Sequence, residues 1–173
     1  MVVEDTKENG KIPYLYFDTS FIIDINNGKG LPCSIIERAK EKKWKYHISF
    51  FGIMEALDIK QEHFFFNKKV GMGEPLKSII NNRRERDLSD SDLKEIQESF
   101  VNRLLKPHKM EMGYYFVDVN SWFKCLEIVR DTNINSSDAI HLTTALGLNC
   151  DILITSDNHF IQEGNKYIKE RMP

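Results

Sequence analysis

The sequence predicts an α/β fold in which a parallel sheet is flanked by helices on both faces. Short apolar runs alternate with amphipathic helical segments, which is the pattern of repeated strand–helix units. Apolar residues make up 41% and charged residues 29% of the 173 residues, a composition typical of a globular chain and not of a disordered or fibrous one. Because this length corresponds to one domain, we expect residues 1–173 to form a single domain.

Strands are predicted where short apolar runs end in turn residues. The first is the aromatic run at 14–17, which Asp18 follows at once. Similar runs predict strands at 46–49, 114–119 and 150–155, and a weaker one at 166–169. Apolar residues at helical spacing predict helices at 21–25, at 31–43, from Phe50 onwards, at 122–129 and at 138–146, where Gly147 ends the helix, and a last helical turn at 159–162.

The stretch 58–113 is longer than a crossover between two strands requires, and we interpret it as a helical arm inserted into the domain. Ser89 and Asp92 form the pattern of a capping box, and an apolar stripe on the helix that follows ends before Pro107. The three phenylalanines at 64–66 cannot all face one side of a helix. Base stacking and contact with a partner therefore both stay open for them.

Charge and cysteine content restrict the function classes. The net charge of −2 argues against a sequence-independent coat of nucleic acid, which is normally basic. Basic residues still cluster at 38–45, 83–86 and 103–109, where they either offset acids along a substrate strand or form solvated helix faces. Three cysteines without a CxxC pair, no apolar run of about 20 residues and no signal-peptide pattern predict a cytoplasmic protein without a membrane segment.

Four carboxylates stand where a parallel sheet brings distant residues together. Asp18 follows the first strand, Asp157 follows the strand at 150–155, Glu55 lies near the start of the helix after the second strand, and Asp138 lies in the first turn of its helix. Ligands of open α/β sheets bind at the carboxyl ends of the strands. Taken singly, the two acids after strands also fit turn residues, Asp138 fits a helix start, and Glu55 fits a boundary residue that reaches water. Together they would repel unless a cation lay among them, and oxygen ligands alone favour Mg²⁺ or Mn²⁺.

Four motifs carry a resemblance to a known family. The segment 18–24, which begins Asp18-Thr19-Ser20, resembles the opening motif of PIN-domain nucleases, and Ile48-Ser49 followed by Glu55-Ala56-Leu57 resembles their second motif. The segments 138–142 and 152–160 are similar to the third and fourth motifs. The match covers about the first sixty and the last sixty residues, and the VapC-type toxin ribonucleases are the most similar group.

The resemblance implies a Rossmann-like PIN fold and an endoribonuclease that hydrolyses RNA with Mg²⁺ or Mn²⁺ and leaves a 5′ phosphate. On this basis Asp18, Glu55, Asp138 and Asp157 form the catalytic metal pocket, and the hydroxyl of Thr155 orients groups in it. The resemblance also implies a homodimer and, for a toxin, an antitoxin protein as partner. The long arm at 58–113 departs from the family and leaves the RNA target open.

Other interpretations remain beside this one. A PIN nuclease that processes RNA without being a toxin, and a non-catalytic PIN-like module that binds RNA or protein, share the same motifs. A haloacid-dehalogenase-like phosphohydrolase is disfavoured because position 20 is Ser20 and not an acid, and a dinucleotide-binding fold because no G-x-G-x-x-G follows the first strand. His141 shares a helix face with Asp138 but is expected to pack, and Asp24 is assigned to the helix surface.

Overall fold

The computed structural model describes residues 12–108, 111–113 and 118–171. Within these residues four strands form one parallel sheet in the order β3-β2-β1-β4. The strands are β1 (Tyr14–Phe17), β2 (Lys45–Ser49), β3 (Glu111–Gly113) and β4 (Ile152–Ile154). The helices are α1 (Thr19–Asn26), α2 (Gly30–Glu41), α3 (Phe50–Gly71), α4 (Leu76–Asn82), α5 (Asp90–Phe100), α6 (Lys106–His108), α7 (Val119–Asp131), α8 (Ser136–Gly147) and α9 (Asn158–Arg171).

The core lies on both faces of the sheet, because successive residues of a strand point to opposite sides. Leu15 and Phe17 of β1 are fully buried in a cluster with residues of α1, α2 and α3. Leu153 of β4 instead packs in a second cluster, with residues of α7, α8 and α9. The prediction of an α/β fold with a parallel sheet flanked by helices is therefore confirmed.

The strand predicted at 114–119 lies mostly outside the described residues, and only its last two positions can be compared with the structure. The strand that pairs with β2 is Glu111–Gly113, which falls inside the stretch that we assigned to the arm. Residues 114–117 lie outside the described part of the chain, and Val119 already belongs to α7. The side chain of Asp118 accepts hydrogen bonds from the backbone N–H of Ser121 (2.8 Å) and from its hydroxyl (2.7 Å). This cap begins a helix at residues whose local pattern favours a strand.

The C-terminal segment is one helix, so the weak strand predicted at 166–169 is wrong. Helix α9 extends the helical turn predicted at 159–162 through Arg171. Phe160 and Tyr167, which are seven residues apart, are each 2% exposed and pack in the cluster beside α8. An apolar pair as short as Tyr167-Ile168 fits both the two-residue period of a strand and the 3.6-residue period of a helix. The helix is favoured because it places Tyr167 in the same buried cluster as Phe160. Gly147 is the last residue of α8, and the left-handed backbone conformation after it belongs to Asn149 (φ 54°).

The arm begins within a continuous helix. Helix α3 runs through position 58, packs against α4 and α5, and buries Phe65, while Phe64 and Phe66 are half-buried. The capping box is present, since Ser89 and Asp92 each accept a hydrogen bond from the backbone N–H of the other. Helix α5 continues into a π-helical turn, Val101–Leu105, whose Leu104 joins the core cluster of β1. Across the described helices, none combines the length and the apolar character that a membrane crossing requires.

Candidate active site

An open cavity of about 330 Å³ lies at the carboxyl edge of the sheet, between α1, α3, α8 and the turn that precedes α9. Asp18, Glu55, Asp138 and Asp157 all line it. The structure thus brings together four carboxylates that the sequence separates by up to 139 positions, as the carboxyl-edge argument predicts. Asp24, which we expected on the helix surface, lines the same cavity.

Asp18 is buried at the base of the cavity, with 4% of its surface exposed. It occupies the N-cap position of α1, but its side chain does not cap the helix. Its Oδ2 instead accepts hydrogen bonds from the hydroxyls of Ser20 (2.8 Å) and Thr155 (2.7 Å). We expected the Thr155 hydroxyl to orient groups in the pocket, and the group that it contacts is the carboxylate of Asp18. The backbone N–H of Asp18 donates to the carbonyl oxygen of Ile154 (3.0 Å), which ties this site to β4.

Glu55 is held by three donors from two helices, α1 and α8. Its Oε2 accepts hydrogen bonds from the hydroxyl of Thr19 (2.6 Å) and from Nε2 of His141 (2.8 Å), and its Oε1 accepts from the hydroxyl of Ser137. Burial by itself would raise the pKa of Glu55, but the hydrogen bonds from His141, Ser137 and Thr19 together lower it. The side chain is therefore kept ionised and fixed in one position.

His141 connects the carboxylates to the sheet. The ring is 1% exposed, and its Nε2 lies 3.3 Å from Oδ1 of Asp18 as well as close to Glu55. Its Nδ1 lies 2.7 Å from the hydroxyl oxygen of Tyr16, and the Tyr16 hydroxyl donates to Ser49 Oγ (2.8 Å). Burial raises the pKa of this Tyr16 hydroxyl. Sequence reasoning expected His141 to pack, and its position three residues after Asp138 was the signal that could have linked it to the acids.

The His141 ring has room only because Gly52 carries no side chain. A Cβ atom at position 52 would lie 3.2 Å from Cε1 of His141 and 3.4 Å from Cδ1 of Ile22. Both neighbours are buried, so neither can move away freely. Gly52 also donates its backbone N–H to Ser49 Oγ (2.9 Å), which fixes the start of α3 against the end of β2.

Asp138 and Asp157 complete the cavity from the second half of the chain. Burial, followed by the charges of Asp18 and Asp157, raises the pKa of Asp138 from 3.8 to about 6. Oδ1 of Asp157 accepts hydrogen bonds from the backbone N–H groups of His159 (2.8 Å) and Phe160 (3.1 Å), which leaves Oδ2 outside this cap. Asp157 is thus both a helix-capping residue and a wall of the cavity.

The donor set suits a hard divalent cation, because four carboxylates line one cavity, where burial and then the charges of Asp18 and Asp157 raise the pKa of Asp138. Among the described residues, no three His, Cys, Asp or Glu side chains stand close enough together to hold a metal ion. Hydrogen bonds to Thr155, Thr19 and the start of α9 hold the side chains of Asp18, Glu55 and Asp157 in this open arrangement. The chemistry of the donors therefore fits Mg²⁺ or Mn²⁺, whereas their spacing in this structure is not that of a ligand set.

Comparison with known proteins adds no family to this description. A scan against protein-family models gives no match to this chain, and a search of curated proteins gives none either.

Proposed function

We propose that this protein is a divalent-metal-dependent endoribonuclease that hydrolyses RNA phosphodiester bonds, with the PIN-like fold that its four motifs resemble. One observation supports this most strongly. Asp18, Glu55, Asp138 and Asp157 come from four separate segments and line one cavity, where burial, and after it the charges of Asp18 and Asp157, raises the pKa of Asp138 to about 6. Such crowding of acids costs free energy in an unliganded protein, and a bound cation relieves it.

Each residue has a defined part in this proposal. Asp18, Glu55, Asp138 and Asp157 would hold one or two Mg²⁺ or Mn²⁺ ions, and Thr155 and His141 keep Asp18 and Glu55 in position. A bound ion favours ionisation of the attacking water and neutralises charge that develops on the phosphate. The chain itself then needs no nucleophilic side chain.

The resemblance to VapC-type ribonucleases extends the proposal to partners. On that basis we infer a cytoplasmic toxin of a toxin–antitoxin pair that forms a homodimer and is covered by an antitoxin protein. A PIN nuclease that processes RNA without being a toxin is the second candidate, since the same four acids would serve it. A non-catalytic PIN-like module is less well supported, because no acid of the quartet is replaced.

Cleavage of RNA in the presence of Mg²⁺, Mn²⁺ or EDTA tests the proposal. We expect cleavage with either ion, none with EDTA, and a loss of about 10²-fold or more in Asp18→Asn and Asp138→Asn. Glu95→Gln is the matched control, because Glu95 is an exposed acid on α5, and it should keep full activity. Chelator-resistant cleavage, or full activity in both asparagine variants, would refute the mechanism. Cleavage of DNA instead of RNA would change the substrate class.

A further inference from the structure

Asp24 is a fifth acid of the carboxylate cavity, beside the four that the sequence predicted. It lies on α1, six residues after Asp18, and only 14% of its side chain is exposed. A carboxylate removed from water to this extent requires charged or hydrogen-bonding partners. The partners of Asp24 therefore show which parts of the molecule it joins.

Each oxygen of Asp24 has a partner. Oδ1 pairs with Nζ of Lys29 (2.5 Å), which directly precedes α2, and Oδ2 accepts a hydrogen bond from the hydroxyl of Ser156 (2.9 Å). The Lys29 side chain is 59% exposed, so solvent screens this ion pair. Ser156 lies 132 positions from Asp24, in the turn between β4 and α9. The hydrogen bond to Ser156 is therefore a long-range contact at the edge of the cavity.

Two side chains of α1 hold the same residue of this turn. Ser20 and Asp24 are four residues apart, so they lie on one face of the helix. The backbone N–H of Ser156 donates to Oγ of Ser20 (2.9 Å), while its hydroxyl donates to Asp24. The hydroxyl of Ser20 donates in turn to Oδ2 of Asp18 (2.8 Å). The position of Ser156 on α1 is thus fixed at two points, one helical turn apart.

Ser156 stands between two residues of the candidate site. Thr155 on one side donates its hydroxyl to Asp18 (2.7 Å), and Asp157 on the other side lines the cavity. The backbone N–H of Asp157 also donates to Oγ1 of Thr155 (3.0 Å), so these residues form one compact turn. A shift of this turn along α1 would move both Thr155 and Asp157 relative to Asp18.

We propose that Asp24 is a positioning residue of the candidate site, which acts through Ser156 to hold Thr155 and Asp157 in place beside Asp18. The inference rests on the proposed function, because the metal-binding role of Asp18 and Asp157 belongs to that proposal. Direct contact between Asp24 and the metal ion is the alternative. A positioning role depends on the hydrogen bond between Asp24 and Ser156, whereas direct contact depends on the charge of Asp24.

Binding of Mn²⁺ to the full-length protein, measured by titration calorimetry without RNA, separates the hydrogen bond from the charge. Ser156→Ala removes the hydrogen bond and keeps the charge, and Asp24→Ala removes both, so each should weaken Mn²⁺ affinity by about 10-fold. Asp24→Asn removes the charge but retains groups that hydrogen-bond to Ser156, and its affinity should stay within about 3-fold of wild type. The two alanine changes together should weaken affinity no more than either alone, because they break the same contact. Asp90→Ala, at an exposed acid of α5, is the matched control.

Hydrogen exchange in EDTA tests the contact without metal. Exchange of the backbone amide at position 156 should be about 10-fold faster in Asp24→Ala than in wild type, because a loosened turn releases this N–H from Ser20. Ser156 is exposed, so Ser156→Ala should remain folded.

Several results would overturn the positioning role. These are an unchanged Mn²⁺ affinity in Ser156→Ala, an equal loss of affinity in Asp24→Asn and Asp24→Ala, and an unchanged exchange rate in Asp24→Ala. If the wild type cleaves RNA with metal but both alanine variants bind Mn²⁺ normally, only the positioning role fails. If the affinities change as expected but no RNA is cleaved, the nuclease proposal fails and the positioning role stands. No Mn²⁺ binding by the wild type would overturn both.

Discussion

Charged side chains in the arm and in the carboxylate cavity are balanced in different ways. In the arm several acids have a basic partner: both terminal guanidinium nitrogens of Arg86 contact the carboxylate of Asp58, and Lys68 binds Asp92 at 2.6 Å. In the cavity Asp18 and Glu55 accept hydrogen bonds from hydroxyl groups and share the single imidazole of His141, and Asp157 accepts from backbone N–H groups. Ion pairs hold the arm together, whereas the cavity retains charge that a ligand can neutralise.

This difference changes how the basic clusters of the arm are interpreted. Arg83, Arg84 and Arg86 form one cluster in the sequence, but Arg86 is engaged by Asp58 on α3. Its guanidinium also donates to the carbonyl oxygens of Asp58 and Arg83. Arg86 therefore connects the turn after α4 to α3, and only Arg83 and Arg84 are exposed.

The largest expected effect contrasts two glutamates of the same helix. Glu55→Gln should lower metal-dependent RNA cleavage by about 10²-fold or more, because it removes a charged oxygen from the cavity. Glu62→Gln, two helical turns further along α3, changes an acid that lies near Arg86 and should leave cleavage within a few-fold of wild type. Initial rates under identical ionic conditions give the comparison. An equal loss of cleavage activity in the two variants would show that the acid in the cavity and the acid in the arm do not differ in function.

Replacement of the imidazole should have the next largest effect. His141→Phe preserves much of the ring volume but leaves the buried oxygens of Asp18 and Glu55 without their shared donor. We expect the free energy of unfolding to fall by about 2–3 kcal/mol, as for other buried polar groups that lose a partner. Urea unfolding measures this. His63→Phe, at an exposed position of α3, should stay within about 0.5 kcal/mol of wild type, and similar stability of the two variants would contradict the role of His141.

The raised pKa of Asp138 predicts a pH-dependent stability in the absence of divalent ions. Between about pH 4 and pH 6 the folded protein binds more protons at Asp138 than the unfolded chain, so the free energy of unfolding falls as pH rises through this range. Because Asp138 is half-buried, solvent screening leaves a loss of about 1–2 kcal/mol at pH 7. In EDTA, Asp138→Asn should be more stable than wild type by this amount at pH 7 and equally stable near pH 4. A constant difference across the range would exclude Asp138 as the cause.

The smallest effect is expected in the arm. Arg86→Gln removes the bidentate ion pair with Asp58 and should lower the free energy of unfolding by about 0.5–1 kcal/mol, since the pair is near the surface. RNA cleavage should not change. Arg84→Gln removes an exposed guanidinium with the same side-chain chemistry and serves as the control for thermal unfolding. Greater destabilisation by Arg84→Gln would show that the pairing with Asp58 does not hold the arm.

The sequence predicted the central part of the molecule well because local patterns there agree with tertiary contacts. The run at 14–17 is apolar at every position, so it indicated a buried strand, and the acids after strands followed from the geometry of parallel sheets. Where contacts distant in sequence decide the outcome, local patterns failed. The pairing of Glu111–Gly113 with β2 and the packing of Tyr167 beside Phe160 are examples.

The surroundings of the acids were the least predictable part of the site. Asp24 is an ordinary helix residue in the sequence, and its place in the cavity depends on how α1 and α3 pack. The contact of His141 with Glu55 depends on space that only a glycine at position 52 leaves. These positions and contacts depend on how closely two helices approach each other. Composition and periodicity carry no information about that distance.

The pairing of β4 with β1 also has a consequence for biosynthesis. The backbone N–H of Asp18 is bonded to Ile154, and Asp157 follows Ile154 by only three residues. A nascent chain that has not yet released β4 therefore has an incomplete cavity. If the proposed function is right, we expect that a polypeptide interrupted before residue 152 does not cleave RNA, because it lacks Asp157 and the strand to which Asp18 is bonded.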